Sequence, residues 1–152
     1  MSDLPDRTAR IRRATARLCA LLDWVPLHEV SLANGRRADI LALRPDGGFV
    51  CIEIKSGARD FQVDQKWPDY RDFADTLYFA VDADFPQHLL PDDVGLIVTA
   101  DGEAALLRDG ANHSLSPARR RALTLHFARL AGRRLGVWED PEGRASRGLR
   151  AE

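Results

Sequence analysis

Asp39 and Glu53 stand fourteen residues apart, a Pro45-Asp46-Gly47-Gly48 segment lies midway between them, and Lys55 follows two residues after the second acid. Strand-forming residues flank that segment on both sides, the pattern of a β-hairpin. With the loop centred on Asp46, equal arms set Asp39 opposite Glu53. Directly opposed side chains of an antiparallel pair have Cβ atoms about 4.5–5.5 Å apart, so two carboxylates there repel unless a cation lies between them. Glu53 and Lys55, two apart in one strand, share a face. Two acids and one ammonium at one spot are what metal-assisted phosphodiester hydrolysis needs. In that reading Asp39 and Glu53 hold Mg²⁺ (or Mn²⁺) through oxygen ligands, and the Ile54 carbonyl at the same strand end is a third ligand. The ion acidifies a water and polarises the phosphate, while Lys55 orients that water or steadies the phosphate charge. The plainer alternative is a cross-strand network in which Lys55 neutralises both acids.

The elements that must position these residues are legible from periodicity. Residues 6–22 read as a helix, with Ile11, Ala14, Leu18, Leu21 and Leu22 recurring at three- and four-residue steps and arginines on the other side. Pro26 is expected to end it. A first strand is expected at 27–33, stopped by Asn34-Gly35, then strands at 37–44 and 49–55 whose continuous apolar character suits central strands covered on both faces. After Ser56-Gly57, a loop carrying Asp60, Phe61 and Asp64 leads to a helical segment at 64–75; because Pro68 lies inside it, either two short turns or a helix whose regular part starts at Pro68 is expected. Strands follow at 76–81 and 94–99 around an acidic loop at 82–93, with an edge hairpin through 103–108. Ser116 as cap and Pro117 at the first helical position start a final helix to about Leu130. The order α-β-β-β-α-β-β-(β)-α describes an α/β fold, a mixed β-sheet flanked by helices. One domain is expected over residues 1–138, and the Gly- and Arg-containing stretch 139–152 is expected to be a disordered tail.

Composition bounds the reading. The chain has 152 residues, 45% of them hydrophobic and 30% charged, which suits one soluble globular domain. No apolar run approaches the roughly 18–20 residues that cross a bilayer, and the first residues lack the apolar segment of a signal peptide; a cytoplasmic location is expected. Cys19 and Cys51 lie among apolar neighbours and read as buried free thiols. His28, His88, His113 and His126 are scattered without the spacing of a zinc site. The net charge is −1, yet residues 60–109 hold twelve acids against three bases, while residues 110–152 hold nine arginines. One basic surface on a nearly neutral chain is the implied picture.

Ala38-Asp39 followed by Glu53-Ile54-Lys55, on the second and third strands of an αβββαβ order, resembles the PD-(D/E)XK nuclease superfamily. The longer run from Arg37 through Glu53-Ile54-Lys55-Ser56, Asp64-Gln65-Lys66-Trp67-Pro68-Asp69-Tyr70 and Leu77-Tyr78-Phe79-Ala80-Val81 resembles the MmcB family of DNA repair proteins. The likeness covers roughly residues 8–130. It implies a restriction-endonuclease-like fold and metal-dependent cleavage of DNA by Asp39, Glu53 and Lys55. The superfamily often adds an acid from the first helix, but residues 6–22 contain no Glu; Glu29 on the first strand is the nearby substitute. Ala38 also replaces the family-typical Pro. Lys66 and Tyr70, four apart and hence on one side of a helix, resemble active-site helix residues that touch the phosphate, with Gln65 as the alternative polar partner; Tyr70 reads equally as an amphipathic core aromatic. Arg37, beside Arg36, reads either as a phosphate contact or as a solvated charge, Ser56 as a strand-end cap or phosphate contact, and Trp67 as packing.

Two functions of different class therefore compete. One is an Mg²⁺-dependent deoxyribonuclease acting in DNA repair. The other is a non-catalytic nuclease-fold module that binds DNA or recruits other repair proteins, the acidic 60–93 surface serving for docking. No segment marks a dimer interface, and oligomeric state stays open.

Overall fold

The computed structural model describes residues 4–64 and 66–143. Six strands form one sheet in the order β1-β2-β3-β4-β5-β6, with β1 at Val25–Ser31, β2 at Arg37–Leu43, β3 at Phe49–Ile54, β4 at Thr76–Asp82, β5 at Gly95–Ala100 and β6 at Glu103–Arg108. The first three strands form an antiparallel meander, β3–β4 and β4–β5 are parallel, and β6 returns antiparallel. This is the mixed sheet expected of the α-β-β-β-α-β order.

Alternation sorts the sheet's two faces. Ile40 and Ala42 of β2, Val50, Ile52 and Ile54 of β3, and Tyr78 and Ala80 of β4 point to one side. There they pack with Ile11, Leu18 and Cys19 of helix α1 (Leu4–Leu21). Leu41, Cys51, Phe79 and Val81 occupy the other side, where Phe61 and Trp67 each meet Phe79 edge-on with ring centroids 5.4 Å apart. Every residue of β3 is buried, as a strand covered twice requires.

Several boundaries differ from the expectation. Helix α1 stops at Leu21 because Asp23 adopts φ 58° and Trp24 donates its amide to the Cys19 carbonyl at 2.8 Å, so Pro26 is not the terminator. Pro26 lies inside β1 instead, opposite Ala42, and β1 is an edge strand that tolerates it. Of the alternatives at 64–75, the regular helix does not form: helix α2, Ala58–Val63, lies before it, and a tight 3₁₀ segment, Trp67–Phe73, takes its place. Asp64 between them is extended, and Pro68 lacks the amide a continuous helix would use. The loop at 82–93 contains a 3₁₀ turn, Gln87–Leu89.

The chain divides into two compact units, one ending at Leu115 and one beginning at Ser116. The second holds helix α3, Pro117–Glu139, capped as expected by Ser116, whose hydroxyl accepts from the Arg119 amide at 3.2 Å. It runs nine residues past Leu130 because Gly132 and Gly136 cost a helix only about 1 kcal/mol each, whereas no proline interrupts before Pro141. Of the expected tail, Glu139 belongs to α3 and residues 140–143 form a turn; the rest lies outside the described residues. No described helix is long and apolar enough to cross a membrane.

Asp75 anchors the start of β4. Its carboxylate, 2% exposed, accepts from the Phe49 amide at 2.7 Å and the Leu115 amide at 2.9 Å. Asp75→Ala would strand two buried donors, and we expect a loss of about 2–4 kcal/mol in urea-unfolding free energy.

Candidate active site

The turn at Pro45–Gly48 sets the site. Gly47 takes φ 85°, open to glycine, the Gly48 amide donates to Asp46 Oδ1 at 2.8 Å, and the Arg44 amide closes the loop on the Gly48 carbonyl at 2.8 Å. The pairing that follows runs Leu43↔Phe49, Ala42↔Val50, Leu41↔Cys51 and Ile40↔Ile52. One further step in that register places Asp39 opposite Glu53, just past the last paired residues. Both acids face the side carrying Cys51 and Phe79.

The two carboxyl groups are cross-laced into the backbone. Asp39 Oδ2 accepts from the Ile54 amide at 2.8 Å, and Glu53 Oε1 accepts from the Asp39 amide at 3.2 Å. Burial leaves Glu53 4% exposed. That burial, and then the charge of Asp39, pushes the Glu53 carboxyl far above its usual range. Burial raises Asp39 as well, against the pull of the Ile54 amide, its hydrogen bond with Glu53 and the Lys55 and Arg12 cations. Glu53, the more buried of the two, keeps the proton. Beside it the Cys51 thiol, 3.7 Å from Glu53 Oε1, is raised well above its ordinary value by burial and then by the two acids, so it stays a neutral thiol. Cys19 is raised to about 11 by burial; both cysteines are buried and free.

Lys55 lies on the acids' side of β3, within electrostatic reach of both, but its ammonium is held by other groups. Nζ sits 2.6 Å from Asp64 Oδ2 and 3.9 Å from Asp60 Oδ1. The other oxygen of Asp64 accepts from the Lys66 amide at 2.9 Å, so one carboxylate both seats Lys55 and starts the 3₁₀ segment. Its place among the site residues was missed from sequence. The available signal was the pair Asp60 and Asp64, four apart just after the Lys55 strand.

The expected phosphate-contacting helix face does not form. In a 3₁₀ turn of three residues, positions four apart do not align. Lys66 is exposed, whereas Tyr70 is buried and donates its hydroxyl to the Arg37 carbonyl at 2.9 Å. Burial above all raises that phenol, and the acids beside it add to the rise, so it remains a neutral donor. Arg37 contributes this carbonyl, and the residue itself is exposed at the start of β2. Arg36 pairs with Asp69 at 3.3 Å, and Trp67 packs on Phe79 with the Arg71 guanidinium 5.4 Å above its ring. Gln65 lies outside the described residues.

Glu29 falls between the paired residues His28↔Ile40 and Val30↔Ala38, hence level with Asp39, but at φ 49° its backbone is left-handed. Its carboxylate is drawn to Arg12 of α1, 3.7 Å away, rather than into a cluster with the other two acids. Among the described residues no three His, Cys, Asp or Glu side chains group to hold a metal. Arg12 thus occupies the role in α1 where an acid was sought, acting on both Glu29 and Asp39. The absence of Glu from that helix was its one signal.

The donor set still suits a hard divalent cation. Two opposed carboxylates, kept apart from full ionisation by their own repulsion, gain by sharing one, and Mg²⁺ is commonly held by only one or two carboxylates with water completing its shell. Asp39, Glu53 and the Ile54 carbonyl are the groups that would hold it.

A family model described as DNA repair protein MmcB-like matches residues 2–142. Among solved structures, a protein of unknown function from Silicibacter pomeroyi is 38% identical, with a TM-score of 0.86 over 91% of this chain and 94% of that one. No curated protein matches.

Proposed function

Because the chain belongs to the MmcB-like DNA repair protein family, we propose that it is a metal-dependent deoxyribonuclease of the PD-(D/E)XK kind, acting on cytoplasmic DNA. The observation that carries this reading is the opposed pair of half-buried Asp39 and buried Glu53, with Lys55 on the same side of the strand. Two carboxyl groups side by side, one of them driven to hold its proton, cost stability and are out of place without a ligand to share. When bound, Mg²⁺ or Mn²⁺ supplies Lewis-acid polarisation of the phosphate and an acidified water. The chain's own residues do the rest. Asp39 and Glu53 orient through the hairpin amides, so the acceptor oxygens are fixed before substrate arrives. Lys55 gives one of its three donors to Asp64 and keeps others for a phosphate oxygen or the attacking water.

A second reading, a DNA-binding or adaptor module that does not cut, is favoured by one observation: no third acid joins the pair among the described residues. The acidic stretch 60–93 would then dock other repair proteins.

The deciding experiment is cleavage of labelled single-stranded, duplex, flap, gapped and branched DNA with Mg²⁺, Mn²⁺ or EDTA. We expect metal-dependent cutting that Asp39→Ala abolishes. DNA binding with no cutting of any substrate would select the adaptor instead.

A further inference from the structure

A groove of about 720 Å³ opens between α1 and α2, immediately beyond the site. Thr8 and Arg12 of α1 form one wall, Arg59 and Asp60 of α2 the other, and Ser56-Gly57, directly after Lys55, the floor. Its charges are unevenly satisfied. Asp60 is already engaged, accepting from the Ser56 amide at 3.2 Å and standing 3.9 Å from the Lys55 ammonium. Arg59 is exposed and makes no hydrogen bond or ion pair among the described residues. Arg12 has a buried Nε without a hydrogen-bond partner, and its pair with Glu29, at 3.7 Å, is long for a charge-assisted bond. Two guanidiniums with donors to spare therefore line one cleft, whose floor at Ser56 directly follows Lys55 in the chain.

A guanidinium fork matches phosphate oxygens. The groove's volume falls within the roughly 300–1,000 Å³ of a site for one small molecule, which corresponds to about one or two nucleotides of a single strand. A duplex brings a second backbone beside the first, and a groove of this volume does not hold both together. We propose that this groove takes one strand of DNA, its phosphates on Arg12 and Arg59, and leads it to the acid pair. This deepens the nuclease reading and rests on it for what happens at the groove's end, but the binding stands by itself.

The test is fluorescence anisotropy with labelled oligo-dT and a blunt duplex of equal length, in EDTA so that cleavage plays no part. Arg59→Glu is the probe, because Arg59 is exposed and its exchange leaves the fold intact. Arg121→Glu, exposed on α3, is the control of equal charge. We expect Arg59→Glu to weaken oligo-dT binding at least about tenfold and to flatten the dependence of log K on log salt by about 0.7 for each phosphate it no longer neutralises. The control should change binding by less than about twofold. Equal effects of the two variants, or duplex bound as tightly as oligo-dT, would overturn the groove. Binding that follows the expected pattern while no DNA is ever cut with Mg²⁺ or Mn²⁺ would overturn the nuclease and leave the groove standing.

Discussion

Lys55→Ala is expected to destabilise the fold by about 2–3 kcal/mol and to lower DNA cleavage by about 10²–10³-fold. The two effects have separate origins. Lys55 is 5% exposed and is the cation nearest Asp64, whose side chain is only 20% exposed. Removing one partner of a buried pair leaves the other charge uncompensated, which costs about 3–5 kcal/mol in full burial. The lower figure applies because Asp64 retains some contact with water. The same ion pair holds Asp64 below its ordinary carboxylate value against its own burial. The loss of rate follows from removing a donor aimed at developing phosphate charge, an effect typically worth about 10²–10³-fold. A double-mutant cycle with Asp64→Asn, read by urea unfolding, should recover most of the stability but none of the activity. If the double variant cleaves like the wild type, Lys55 has no role in the chemistry.

Glu53→Gln is expected to stabilise the metal-free protein at pH 8 while removing its thermal response to Mg²⁺ and its cleavage activity. Burial, and then Asp39, raises the Glu53 carboxyl to about 9. A carboxyl whose folded-state value lies above its unfolded value contributes stability fully present below the unfolded value, near 4.5, and lost as pH rises toward 9. The wild type should therefore lose stability progressively between about pH 5 and 9, and glutamine should not. Glutamine keeps an oxygen for the Asp39 amide, so the hairpin lacing survives. The Tm gain should be a few degrees at pH 8, at about 2–4 °C per kcal/mol for a chain of this size, and should vanish at pH 5. Metal binding runs the other way. A ligand must lose its proton to hold a cation, so Mg²⁺ should raise the wild-type Tm more at pH 8.5 than at pH 6.5, with proton release measurable in weakly buffered solution. A variant less stable than wild type at pH 8 would show that Glu53 is ionised and paired in the metal-free protein.

The parts of the site that lie within one hairpin could be read from sequence, and the parts that depend on the crossover could not. Asp39 and Glu53 are joined by a short turn with glycine where φ must be positive, so counting residues fixes their relation. The strand order was readable for the same reason, each strand being bounded by its own turn or break. Asp64 and Arg12 depend on how α2 and α1 cross the sheet, and neither crossing leaves a period in the chain. The pairing of Lys66 with Tyr70 misled because the spacing rule behind it assumes an α-helix, and Pro68 sits where the chain tightens into a 3₁₀ turn; the other reading of Tyr70, a core aromatic, agrees with its burial. Glu29 misled because alternation along a strand assumes extended backbone, and its φ of 49° breaks that assumption at one residue.

The Pro45–Gly48 turn also acts as a ruler with a parity. Side chains in a strand alternate, so deleting or inserting one residue there would do more than shorten a loop. It would swing Glu53 through the sheet into the apolar layer under α1 and deliver Ile52 or Ile54 to its former place beside Asp39. Changes of composition in the turn are tolerable wherever Gly47 keeps its backbone freedom; changes of length are not, unless they come in pairs that preserve the alternation.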